Sequence, residues 1–308
     1  MWGFLFYNKF VERPNFYKDR EPKKEKTTVY DIVTEKITQK LEEGEIPWKK
    51  PWNMQLPRNL ITNKPYQGIN FLLLSGEDHE NPYWLTFKQA QEKGGHVKKG
   101  EKGTPITFWK VIEKELKEKE GKELQFILRY YTVFNLGQCE GIESPPLGEP
   151  SNPIQKCEEI ISGYKTTPDL RINTRNSAYY SPKEDYISLQ PKHTFQNMEG
   201  YYATLFHEMT HSTGHEKRLG RFNSRDYNRP FGCEEYSKEE LIAELGSAFL
   251  CAEAGIDNSE LDNSAAYIQS WLKALKNDKR LIVTASSQAA KATRYILGHT
   301  EETELPQL

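Results

Sequence analysis

Two histidines four residues apart, with a glutamate directly after the first, stand in "YYATLFHEMTHSTGH" at residues 201–215. On a helix, His207 and His211 share one face about 6 Å apart along the axis, so both imidazoles can reach one ion. Zinc held in this way acidifies a bound water, and Glu208 is placed to take its proton as the water attacks a carbonyl. Ala203, Phe206 and Met209 surround the pair with small or apolar groups that shield it. The chemistry expected is that of one Zn2+, another divalent metal being admissible, with Glu208 as the catalytic base.

A catalytic zinc needs a third protein donor and an open fourth position. On a continuous helix His215 would lie about 12 Å from His207, too far to share the ion. Gly214 is expected to end the helix, and the metzincin spacing would put the third histidine where this chain has Lys217. His215 is therefore read as lying behind the ligands or facing substrate. The other source is "SKEELIAELGSAFLCAEAG", a helix expected to begin at Ser237, on which Glu240 and Glu244 share a face. By resemblance to thermolysin-like peptidases, Glu240 would bind metal and Glu244 would orient His207. The reverse assignment stays open, because "SKEE" also reads as a capping box that folds Glu240 back onto Ser237. The segment 177–192 is expected to lay an edge strand beside the site for an extended peptide. Tyr179, Tyr180, Tyr201, Tyr227, Tyr236 and His215 are the oxyanion donors to choose from.

These residues need a scaffold, and the chain has 308 residues to build one. That length suffices for two domains, each burying its own core. No apolar run approaches the roughly 20 residues that span a bilayer, and "MWGFLFYNKF" lacks the flanks of a signal peptide, so a cytoplasmic protein with no membrane partner is expected. The dispersed Cys139, Cys157, Cys233 and Cys251 form no CxxC pair, which points to reduced thiols. The fold class expected is α+β. Residues 1–26 read as an extension and 27–140 as a first domain of helices and strands. The Pro- and Gly-rich "GIESPPLGEPSNP" at 141–153 reads as a linker, 154–299 as the domain carrying HExxH, and 300–308 as a tail. A helix beginning near Ser264 is expected to be the last.

Residues 1–140 carry 24 Lys and Arg against 20 Asp and Glu, while the whole chain is at −2, so the first half alone is basic. There aromatics interleave with cations: Trp48, Lys49, Lys50 and Trp52, then Trp84 and Lys88, then Lys98, Lys99, Lys102 and Trp109. Single-stranded DNA is bound by such a mixture, bases stacking on rings while lysines follow phosphates. From composition alone the rings read first as core and the lysines as a solvated face.

"YQGIN" at 66–70, "PYWLTFKQAQEKGGHVKKGEKGTPITFWK" at 82–110, the HExxH segment, "EELIAELGSAFLCAEAGI" at 239–256 and "YIQSWLKALKNDKRLI" at 267–282 together resemble the ArdC-type antirestriction proteins of plasmids and related mobile elements. The resemblance runs collinearly from about residue 28 to 297. It implies a single-stranded-DNA-binding domain joined to a zincin-like metallopeptidase domain, in a protein that shields incoming DNA from restriction. Its motif residues fall on His207, Glu208, His211 and Glu240. Two function classes follow: a DNA-binding shield with a metal-bearing scaffold, or a DNA-targeted zinc metallopeptidase with a protein substrate.

Overall fold

The computed structural model describes residues 27–49, 56–115, 122–146, 152–175, 177–222, 234–258 and 265–299. Lys50, Trp52, Tyr227, Cys233, the side chain of Tyr236, the reversal at Gly121, the extension 1–26 and the tail 300–308 lie outside the described residues.

The first half opens with α1 (Val29–Glu42), where Thr28 and Asp31 form a reciprocal capping box that satisfies two otherwise unpaired amides. After β1 (Arg58–Asn59) comes α2 (Ile69–Ser75). Its sequence INFLLLS shows no period because the helix is buried on nearly every side. Next are β2 (Tyr83–Thr86), the short α3 (Phe87–Glu92) capped by Thr86, β3 (His96–Val97), the long strands β4 (Thr104–Glu115) and β5 (Lys122–Asn135), and β6 (Cys139–Glu140). The main sheet has the order β1-β2-β5-β4, and β4 lies at its edge. Asn70 of α2 covers that edge near its base by exchanging hydrogen bonds with the Thr107 backbone, Nδ2 to O and N to Oδ1, each at 2.7 Å.

The second half begins with α4 (Pro153–Gly163), which has Asn152 as its cap and proline in its first turn. A three-stranded sheet follows, built from β7 (Asp169–Ile172), β8 (Tyr179–Ser181) and β9 (Tyr186–Leu189) in the order β7-β9-β8, so β8 is an edge strand. Four helices complete it: α5 (Met198–Ser212), α6 (Glu234–Ala254), α7 (Ala265–Asn277) and α8 (Leu281–Ile296). Two expectations change here. The helix placed at Ser237 starts at Glu234, so Ser237 sits within α6 and no capping box draws Glu240 away. The helix near Ser264 is followed by α8, whose inner face is rich in alanine and serine and whose Arg280 cap makes no side-chain hydrogen bond.

The first half has two buried clusters of its own, around Leu85 and around Trp84, while its first two helices share a larger cluster with the second half. Val33, Ile37 and Leu41 of α1 and Phe71 and Leu72 of α2 belong to the same buried cluster as Leu245, Leu250, Trp271 and Ile282. Phe71 meets Phe249 edge to face at 5.2 Å, and the Thr34 hydroxyl donates to the Lys279 carbonyl at 2.7 Å.

Trp48 and Trp84 require a correction as DNA contacts. Trp48 is 0% exposed, edge to face with Trp271 at 5.3 Å, and its carbonyl accepts from Asn258. Trp84 is 2% exposed among Leu74 and Val133. Neither ring offers a face to a base. Both are large apolar groups drawn into the interior, as most tryptophans are.

Helices α5 and α6 cross where Gly246 faces Thr210. A Cβ at Gly246 would lie 2.4 Å from Thr210 Cγ2, and the Thr210 hydroxyl is itself tied to the Phe206 carbonyl at 2.8 Å. Gly246→Ala should therefore lower stability by about 1–2 kcal/mol, overpacking outweighing the better helix propensity of alanine. Adding Thr210→Ala should restore most of the loss, as read from urea unfolding midpoints of the two variants.

Candidate metal centre

Asn197 caps α5 through a hydrogen bond from the Gly200 amide, and the helix carries His207, Glu208 and His211 before ending at Ser212. The residues beyond fold back on the helix end: the Leu219 amide reaches the Thr213 carbonyl and the Phe222 amide reaches the Gly214 carbonyl. Helix α6 lies alongside, fixed by Gly246 and by the Ser247 hydroxyl donating to the Ala203 carbonyl at 2.7 Å.

This packing brings His207, His211 and Glu240 together, the single candidate metal set among the described residues. The two Nε2 atoms are 3.1 Å apart; Glu240 Oε2 lies 3.5 Å from His207 Nε2, and Glu240 Oε1 lies 3.5 Å from His211 Nε2. Donors about 2.0–2.2 Å from one tetrahedral ion stand roughly 3.3–3.5 Å from one another, close to these separations, and one donor atom from each of the three residues lies within 4.8 Å of the other two. Two imidazoles and a carboxylate suit zinc and its divalent neighbours.

The far nitrogens of both rings face carboxylates. Glu244 Oε1 lies 3.9 Å from His207 Nδ1, and the other Glu244 oxygen is buried without a hydrogen-bond partner. Glu239, which the sequence reading passed over, lies 3.3 Å from His211 Nδ1. It is held in turn by Arg221 at 2.8 Å and 3.2 Å. No spacing rule links residue 239 to 211 or 221; the packing of α6 on α5 sets the first contact and the fold-back after α5 the second.

Charge balance follows from this geometry. Burial would raise the Glu240 carboxyl, but the adjoining imidazoles of His211 and His207 hold it far below the carboxylate range. Burial pushes the His211 ring down, and Glu240 and Glu239 more than reverse this, leaving it well above the ordinary histidine value. Glu208 is buried, which raises its carboxyl, and the Tyr180 backbone gives it a hydrogen bond. Edge strand β8 therefore runs directly past Glu208.

Other expected contributors are placed elsewhere. Tyr201 is core, packed edge to face on Phe195 and Tyr202 at 5.3 and 5.2 Å. His215 is buried in the turn beyond α5, where its Nδ1 accepts the Lys217 amide. Tyr180 is occupied, its hydroxyl donating to Asp185 and accepting from Arg218. Tyr179 remains exposed, its hydroxyl 3.1 Å from that of Tyr186.

In the first half, Lys88 is exposed beside Glu92 at 3.4 Å, Lys98 donates to the Gly137 carbonyl, and Lys99 and Lys102 are exposed. Lys49 is half-buried beside Trp48. Trp109, by contrast, stands 45% exposed on β4, and with it the β4–β5 hairpin exposes Phe126 (61%), Tyr130 (50%) and Tyr131 (45%). Trp109 lies opposite Leu128 in the ladder, so Phe126 and Tyr130 flank it on one face. On the other face Phe108 stacks on Tyr131 at 4.3 Å, and exposed Arg129 and Lys110 stand beside them.

Residues 27–134 match the N-terminal domain of anti-restriction factor ArdC, and residues 155–288 match the zincin-like metallopeptidases. The chain is 35% identical to DNA primase TraC of Escherichia coli over 90% of its own length, but it spans only 28% of that protein. An uncharacterised protein of Sinorhizobium fredii, y4eC, is 32% identical over 93% of this chain and 96% of its own. Among solved structures, the antirestriction protein ArdC of plasmid R388 superposes with a TM-score of 0.72 at 38% identity, covering 89% of this chain and 99% of that one. Its Mn(II)-bound form matches at the same score and identity.

His207→Ala and Glu240→Gln should each abolish retention of one divalent ion per chain, while Glu244→Gln should keep the stoichiometry. Elemental analysis after dialysis against metal-free buffer reads this directly. A full complement in either of the first two variants would remove that residue from the donor set.

Proposed function

The chain belongs to the ArdC-type antirestriction proteins, and from that premise we propose that it binds single-stranded DNA, protects incoming DNA from restriction, and holds one zinc ion on His207, His211 and Glu240. The observation that carries this reading is the union, in one chain, of an ArdC N-terminal half exposing an aromatic hairpin with a zincin-like half whose three donors converge.

The DNA face is assigned to the β4–β5 hairpin rather than to Trp48 and Trp84. Trp109, Phe126 and Tyr130 on one face, and the Phe108–Tyr131 stack with Arg129 and Lys110 on the other, offer exposed rings beside cations. Lys99 and Lys102, near the base of β4, supply further phosphate contacts. Trp109→Ala and Phe126→Ala should each weaken binding of an oligothymidylate by about 1–3 kcal/mol, the worth of one base–ring stack. Affinity should fall steeply as salt rises. Fluorescence anisotropy at fixed ionic strength tests this, and unchanged affinity in both variants would refute the hairpin assignment.

A second reading, favoured by the placement of Glu208, is an active metallopeptidase directed to proteins acting on the incoming DNA. A divalent ion at this site polarises a carbonyl and acidifies water. Glu208 lies outside the donor set, in a buried position where a raised carboxyl can take up and return a proton. Edge strand β8 can align an extended substrate by strand addition, with its Tyr180 backbone already against Glu208.

Protection of DNA entering a restricting host, compared between wild type and Glu208→Gln at matched expression, separates the two readings. Equal protection makes the protein a shield in which hydrolysis is dispensable. Lost protection, with DNA affinity and metal content intact, makes it a peptidase.

A further inference from the structure

Adjacent glutamates on α6 serve different ends of the site. Glu240 reaches the near nitrogens of both histidines, while Glu239 meets only the far nitrogen of His211, at 3.3 Å. We propose that Glu239 is a positioning residue that fixes the tautomer and rotation of His211, and that Arg221 is the cation that locks Glu239 in place; this rests on the metal reading above.

A histidine ring can present either nitrogen, and only the one without hydrogen can bind metal. An acceptor facing Nδ1 holds the hydrogen there and leaves the Nε2 lone pair directed at His207 and Glu240. Glu239 can perform this only if its own rotation is stopped. Arg221 stops it by donating from Nη2 to Oε1 at 2.8 Å and from Nε to Oε2 at 3.2 Å, so both carboxylate oxygens are engaged.

Arg221 is itself anchored to the histidine-bearing helix. Its Nη1 donates to the Thr213 hydroxyl at 2.7 Å and its Nη2 to the Thr210 carbonyl at 3.0 Å. A cation bonding the last carbonyls of a helix is a favourable terminus. One guanidinium therefore ties the end of α5 to α6 and orients a ligand between them. His211, Glu239 and Arg221 are all largely buried, with 13%, 13% and 9% of their side-chain surfaces exposed, so water competes poorly for these bonds.

The test is Zn2+ affinity of the full chain, measured by competition with a chromophoric chelator, for wild type, E239Q, E239L, R221M and H207A. E239L should bind Zn2+ about 10–100-fold more weakly, the usual effect of losing the acceptor behind a ligating histidine. E239Q keeps an oxygen that can accept from Nδ1–H and should lose less, and the visible bands of the Co2+-loaded protein should shift in E239L more than in E239Q. R221M retains Glu239 but frees it to rotate, and should weaken binding as well; it carries the test alone if E239L does not fold. Wild-type affinity in E239L or R221M would overturn the proposal, as would equal losses in E239Q and E239L, which would indicate a general effect of charge removal. Undiminished affinity in H207A would instead overturn the metal site itself.

Discussion

The close approach of α5 to α6 at Gly246 is the constraint on which the site depends. Glu240 lies six residues before Gly246, about 9 Å back along the helix, so the crossing point sets how near its carboxylate comes to His207 and His211. With a side chain at 246, the contact with Thr210 would open and the spacing between Glu240 and the two histidines would open with it. Helix α6 also packs on α8, a helix whose buried residues include Ala285, Ala289 and Ala292.

That geometry gathers an unusual amount of charge in a protected place. Glu208, Glu239, Glu240 and Glu244 stand within one cluster with His207, His211 and Arg221. Buried ion pairs seldom improve stability over well-packed apolar side chains, because removing both charges from water costs several kcal/mol per ion. A fold gains little by assembling such a cluster for its own sake. A divalent cation changes that balance, since it offers the carboxylates and lone pairs a stronger partner than they can be for one another. Arg221 then has a distinct place, neutralising Glu239 so that this carboxylate serves His211 alone.

How much of this was legible in the sequence depended on whether a local rule governed the residue. His207, Glu208 and His211 are fixed by the helical repeat, so their shared face could be read directly, and Glu240 and Glu244 follow from the same periodicity on a second helix. The Thr28 and Thr86 caps obey equally local chemistry. Trp48 and Trp84 do not: an aromatic beside lysines suits a stacking platform and a core equally well, and only packing against Trp271 or Val133 decides. Glu239 and Arg221 escaped for a related reason, because their partners are set by the packing of α6 on α5 and by a fold-back of the chain, neither of which has a periodic signature. The shared core was hidden by the Pro- and Gly-rich stretch at 141–153, whose composition suggests separation although α1 and α2 pack against α6, α7 and α8 across it.

That shared core bears on how the two halves can work together. Helices α1 and α2 are seated on the helices behind the candidate metal centre, so the first half packs directly on the second. A shield needs only the hairpin to hold a strand of DNA. A peptidase needs something more, an acid–base group outside the donor set and a rail for its substrate. Structural zinc sites close around four protein donors, whereas among the described residues three converge here and Glu208 stands apart, bonded to the backbone of an edge strand. A purely structural metal would give that glutamate no part in chemistry. The placement of Glu208 is thus the strongest physical argument that the site is arranged for chemistry as well as for holding the fold.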